Sequence, residues 1–137
     1  MMDQDPIVNE LLGRWWNGPN TLIGMGLRAA CGWSSFDVRG DSHFIARPGS
    51  RFDRLAQGAG IMAITLGECV FYRSSMAFTR TRVRHELEHV HQGRRWGPAF
   101  FPAYLIASLS AGLSGRRMYA DNVFERQARA AEPQVKP

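Results

Sequence analysis

The sequence predicts an α+β protein. Three features carry this: a helical hydrophobic period near the N-terminus, β-branched and aromatic blocks around turn clusters in the middle, and longer helical patterns after about residue 75. The order is helix, strands, helices, whereas a βαβ series would alternate throughout. A chain of 137 residues with 45% hydrophobic and 11% aromatic content is the size of one domain able to bury a core. We expect that domain over residues 1–132 and a disordered tail over 133–137.

The elements follow in chain order. Asp5 and Pro6 read as a helix cap and first helical residue, and Ile7, Val8, Leu11, Leu12, Trp15 and Trp16 recur at helical spacing until Gly18 and Pro19 stop them. The twin tryptophans read as core anchors or as a patch for the rest of the domain. From Thr21 to Trp33 the chain is apolar and contains glycine, which fits packed coil or a short helix equally. Alternation on both sides of Gly40-Asp41-Ser42 predicts a hairpin of residues 36–39 with 43–46. Residues 47–60 read as a polar connection, and 61–66 and 69–72 as one or two further strands. A long helix is predicted from near Ser75 to Gln92, ending at Gly93; a second starts near Pro102, and a third opens at Asp121 or Asn122.

Composition narrows the function classes. The formal charge of +5 comes almost wholly from arginine, with Lys136 the only lysine. The arginines are scattered and no nucleic-acid motif accompanies them, so nucleic acid is not an expected partner. The run from Trp96 to Gly115 is uncharged and about long enough to cross a bilayer, but its glycines, prolines and serines favour a buried or cleft-lining helix, so membrane association is not favoured. No charged-then-apolar signal pattern opens the chain, and the expected compartment is the cytoplasm. Cys31 and Cys69 form no CxxC pair and are expected to be reduced thiols.

The segment from Arg82 to Gln92, RVRHELEHVHQ, holds three of the four histidines. Within it, His85-Glu86-Leu87-Glu88-His89 matches H-E-x-x-H, which chance would give about once in two hundred chains of this composition. On a helix His85 and His89 lie one turn apart on one face, so both imidazoles can reach one ion. A catalytic zinc site then needs a third protein ligand and an open position. His91 projects toward a different face. Helical angle does not separate Glu86 from Glu88, but the motif does: the Glu after the first His takes a proton from the attacking water and returns it to the leaving amine. Glu88 has a simpler use as a partner for Arg84 or Arg95. For the third ligand Glu125 is favoured, although Asn122-Val123-Phe124-Glu125 is also a capping-box pattern. Asp121, His43 and Glu132 are the alternatives.

RHELEHVHQGRRWGP, then FPAYL, then GRRMYADNVFERQA resembles the small glutamate zincins, the minigluzincin-like metallopeptidases, in which an N-P-F-E-type segment downstream of H-E-x-x-H supplies the third ligand. The likeness covers roughly residues 61 to 131, with Val123 standing where proline is usual. It implies a zincin-like fold, in which a small mixed or antiparallel sheet lies over the H-E-x-x-H helix and a glutamate helix follows. It also implies that His85, His89 and Glu125 hold one zinc ion per chain, that Glu86 is the general base, and that ITLGECVFY forms a strand over the cleft.

The expected activity is hydrolysis of peptide bonds in a peptide or protein substrate by metal-activated water. Tyr104 and Tyr119 are the candidates for a second electrophile beside the metal. A catalytically silent zinc-binding or interaction module on the same fold is the competing reading.

Overall fold

The computed structural model describes residues 6–31, 33–38 and 41–134, with backbone alone for 34–38. The architecture is mixed α+β. Helices α1 (Pro6–Trp16) and α2 (Gly18–Ala30) precede strands β1 (Trp33–Val38) and β2 (Asp41–Ala46); helix α3 (Arg51–Gly58) leads to β3 (Ala63–Leu66) and β4 (Cys69–Tyr72); helices α4 (Arg80–Trp96), α5 (Phe100–Leu113) and α6 (Val123–Ala130) complete the described chain. The expected cap Asp5 and turn residue Gly40 lie outside the described residues.

The strands form one four-stranded sheet in the order β1-β2-β4-β3, antiparallel except for the parallel β2–β4 pair. The predicted hairpin of β1 with β2 is present, as are both later strands. β4 is central and buried along its whole length, which is why Cys69-Val70-Phe71-Tyr72 is apolar without alternation. Val70 and Tyr72 pack with Val90 of α4 on one face, while Cys69 and Phe71 join Phe44, Trp33 and Phe52 on the other. β3 is an edge strand. The β3–β4 turn needs glycine at position 67 twice over: φ is +66°, and a Cβ there would meet the backbone nitrogen of Thr21 at 2.2 Å.

One open reading is resolved and three expectations are corrected. The apolar stretch after Thr21 takes the helical of its two readings, and Gly18 and Pro19 open α2 as well as closing α1. The connection over 47–60 contains α3, capped by Ser50, whose hydroxyl accepts the Asp53 N–H at 3.2 Å. The long helix begins only after Thr79, whose hydroxyl accepts the Arg82 N–H at 3.2 Å; Ser75–Ala77 is a separate 3-10 turn. It also continues past Gly93, which is a close-approach site and not a terminator, since a Cβ there would lie 2.7 Å from Asn17 Oδ1.

The tryptophans do not anchor the core. Trp15 is 78% and Trp16 47% exposed, although the Trp16 ring lies over Gly97 as a patch on the turn after α4. α1 docks instead by its polar side. Arg94 of α4 donates to Asp41 Oδ1 and Glu68 Oε2, both at 2.6 Å, and Arg14 of α1 joins the same acids at 3.3 and 3.6 Å. Both cysteines are free. Among the described residues no helix is long and apolar enough to cross a membrane. The uncharged run forms α5, whose Phe100, Phe101 and Tyr104 line a pocket as expected, while Leu105, Ile106, Leu109 and Leu113 are exposed.

Candidate metal centre

α4 carries His85 and His89 one turn apart, with ring centroids separated by 4.9 Å. The third partner arrives from α6, and a buried asparagine sets where that helix starts. Asn122 caps α6 by accepting the Phe124 N–H at 2.8 Å, and its amide donates to Tyr104 O at 3.0 Å and Ser108 Oγ at 2.8 Å, pinning the cap to α5. The Asn122 N–H is satisfied by Tyr119 O at 3.2 Å. No donor at the cap therefore calls on Glu125, and its carboxylate turns inward. Oε1 lies 3.2 Å from His89 Nε2 and Oε2 lies 3.3 Å from His85 Nε2, with all three side chains under 10% exposed.

These three residues offer donor atoms within 4.8 Å of one another, so the group could hold a metal ion. Two further features fit a cation. Glu125 Oε1 accepts the Tyr104 hydroxyl at 2.7 Å, but buried Oε2 has no hydrogen-bond partner despite its proximity to His85. Such an atom costs free energy unless something of opposite charge completes it. Both histidines are also engaged at Nδ1, His85 with Glu132 Oε1 at 2.9 Å and His89 with Gln92 Oε1 at 2.9 Å. A proton held at Nδ1 by an acceptor leaves Nε2 as the lone-pair donor, the arrangement by which outer partners fix a metal-binding tautomer.

Charge is balanced locally. Burial works against charged imidazoles, but Glu125 and then Glu86 outweigh it and raise both histidines above their ordinary value. Burial also opposes ionisation of Glu125, yet His85, His89 and Tyr104 more than offset it and hold its carboxyl well below the usual carboxylate range. Burial, with Glu125 adding to it, pushes the Tyr104 and Tyr119 phenols up, so both remain protonated donors at neutral pH.

A pocket of about 360 Å³ opens on this group. Its walls are Ile61 and β3 residues Ala63, Ile64 and Thr65 on one side, and Phe100, Phe101, Tyr104 and Tyr119 on the other; Glu86, His89 and Glu125 supply the charged atoms. Glu86 is 4% exposed and accepts the Thr65 hydroxyl at 2.7 Å. That placement separates the two glutamates as helical angle alone did not: Glu86 faces the pocket, whereas Glu88 lies 3.6 Å from His91 and not on the expected Arg84 or Arg95.

The other third-ligand candidates are not in the donor group. Asp121 pairs with Arg117, His43 is buried against Tyr72 with Nδ1 3.0 Å from the phenol oxygen, and Glu132 stands behind His85. Gln92 and Thr65 escaped the sequence reading. Gln92 had a usable signal, because it follows His89 by three residues and so shares its face of α4. Its Nε2 donates to Phe124 O at 3.0 Å and to Gln127 Oε1 at 3.2 Å, so one side chain orients a histidine and holds α6 beside it. Gln92→Leu is expected to weaken divalent-metal binding by about 10- to 100-fold, as loss of an outer partner does. Competition against a chromophoric chelator measures this; unchanged affinity in a folded variant would reduce the amide to a packing role.

The chain matches no protein-family model, no curated protein and no solved structure.

Proposed function

We propose that the protein is a zinc-dependent metallopeptidase of the glutamate-zincin type, with His85, His89 and Glu125 holding one zinc ion and Glu86 acting as general base. The observation that carries the reading is a group of two histidines and Glu125, whose Oε2 has no hydrogen-bond partner, with donor atoms within 4.8 Å of one another, beside a pocket that His89, Glu125 and the separate buried carboxylate of Glu86 line. Two imidazoles and one carboxylate are a zinc donor set, and only three protein donors leave a position open for chemistry. A closed structural site would use a fourth. Bound zinc supplies a Lewis acid that polarises a carbonyl and a lowered pKa for water at neutral pH.

The chain's own residues would do the rest. Glu86 accepts the proton of the attacking water and delivers it to the departing amine, with the Thr65 hydroxyl at 2.7 Å holding its carboxylate in place. Protonated Tyr104 and Tyr119 line the same pocket and are the candidate donors to a developing oxyanion, Tyr104 by turning the O–H that it gives to Glu125 Oε1. β3 is both an edge strand and a pocket wall, so an extended peptide can add to it through main-chain hydrogen bonds. The layout of edge strand, H-E-x-x-H helix and glutamate helix supports the zincin arrangement.

Native mass spectrometry with elemental analysis, followed by a peptide-library digest, tests the proposal. About one zinc per chain is expected, with cleavage that chelator abolishes and zinc restores. A folded protein that ignores added zinc would remove the reading altogether, and stoichiometric zinc without any cleavage would leave a binding module.

A further inference from the structure

Successive side chains of β3 face opposite sides of the sheet. Thr65 turns toward α4, where its hydroxyl reaches Glu86 at 2.7 Å. Ala63, two residues earlier, shares that face and packs against the cluster of Val70, Tyr72 and Val90, while Ile64 and Leu66 pack with Phe71 on the other. The strand wall of the pocket therefore carries a single methyl at a position where strands favour β-branched residues. Across from it stand Phe100, Phe101 and Tyr104 of α5. Phe124 of α6 braces Phe100 and Tyr104, with ring centroids 5.4 and 6.1 Å away, so the helix that delivers Glu125 also fixes the aromatic wall.

We propose that this pocket selects a bulky apolar side chain, that of phenylalanine, leucine or methionine, on a residue flanking the scissile peptide bond, with Ala63 and Phe101 as the specificity-determining residues. The proposal deepens the metallopeptidase reading and rests on it. Volume and charge both point this way. About 360 Å³ falls within the roughly 300–1,000 Å³ of sites that enclose a small ligand, so the space beside the Ala63 methyl exceeds what a small side chain fills. The charged groups on the lining are already engaged, Glu86 with Thr65 and Glu125 with His89 at 3.2 Å. Among the described residues no arginine or lysine lines the pocket, so an acidic side chain entering it would face two carboxylates and lose its hydration. A basic one would pair with Glu86 and occupy the proton acceptor. An apolar one displaces water from Ile61, Ala63 and the aromatic wall at no such cost. Main-chain pairing on β3 gives affinity without regard to sequence, which leaves discrimination to this pocket.

Digestion of an equimolar peptide library by the zinc-loaded chain reads the preference. Cleavage beside phenylalanine, leucine or methionine is expected to exceed cleavage beside alanine by about tenfold or more, and beside aspartate by about 100-fold or more. Ala63→Leu, which fills the pocket, should lower kcat/KM for phenylalanine substrates about tenfold relative to alanine ones. Phe101→Ala, which removes one aromatic wall, should narrow the same ratio and keeps the test open should Ala63→Leu not fold. A second readout needs neither metal nor turnover. Saturation-transfer NMR on the chelated protein should mark the ring protons of acetyl-Ala-Phe-Ala-amide and not the side-chain protons of acetyl-Ala-Asp-Ala-amide, and Ala63→Leu should diminish the ring signal. Equal cleavage beside alanine or aspartate, or a preference that both substitutions leave unchanged in folded proteins, would overturn the proposal. A chain that cleaves nothing yet gives ring transfer sensitive to Ala63→Leu would strike the catalytic reading and leave the pocket as an apolar side-chain site; absence of cleavage and of transfer would overturn both.

Discussion

Glu125→Ala is expected to remove most of the protein's zinc-dependent thermal stabilisation. In the wild type, free zinc at about a thousand times its dissociation constant would add roughly 4 kcal/mol, a rise in melting temperature on the order of 10 °C for a chain of this size. The variant keeps its helix cap, because Asn122 alone holds the start of α6 and its own N–H is taken by Tyr119. It loses the carboxylate that spans both histidines, so zinc affinity should collapse while the chelated protein falls by only about 1–3 kcal/mol, chiefly through the orphaned Tyr104 hydroxyl. Glu125→Gln controls for that local damage: its amide oxygen still accepts from Tyr104, yet the charge facing the ion is gone. Thermal unfolding of the three proteins with zinc and with chelator is the measurement. A zinc-induced rise that persists undiminished in both variants would take Glu125 out of the metal centre.

What the sequence disclosed about this site was local, and what it hid was tertiary. His85 and His89 are legible because four-residue spacing on a helix is a geometric statement needing no knowledge of the rest of the fold. Glu125 was ambiguous because N-x-x-E specifies either a capping box or an inward carboxylate, and the choice rests on Tyr119 satisfying the cap from a neighbouring loop. Glu132 read as a possible ligand; whether a carboxylate meets an ion directly or through an imidazole depends on how α6 ends, which no pattern encodes. Thr65 reaches Glu86 only across the packing of β3 on α4.

The fold divides the same way. Hydrophobic period located α1, α4, the strands, and α5 and α6 to within a few residues. It left α2 undecided between coil and helix, because the glycines of that stretch suit either; the missing Cβ of Gly24 is what lets the helix lie against Leu66 O, which an added carbon would approach to 2.6 Å. It failed for α3 because eight residues with a polar surface give no sustained stripe, and the Ser50–Asp53 capping signal was the better cue. Periodicity found the apolar stripe of α1 but not its direction. That direction is set by ion pairs to Asp41 of β2 and Glu68 of the β3–β4 turn, both far away in sequence.

The second large effect concerns catalysis alone. Glu86→Gln should retain zinc, retain the fold and lose about 10²-fold or more of peptide hydrolysis. The amide is nearly isosteric and can still accept the Thr65 hydroxyl that lies 2.7 Å away, so neither packing nor metal affinity has reason to change much. What it cannot do is take up a proton. Glu88→Gln is the matched control, with the same chemistry two residues along the same helix but on His91 instead of the pocket, and it should cost far less. Parallel metal titrations and initial-rate measurements on one peptide substrate separate the roles. Equal losses in the two variants would mean that Glu86 is not the base and that the activity tracks the overall charge of α4; an unaffected Glu86→Gln enzyme would move the search for a proton acceptor to the other side chains on the pocket wall.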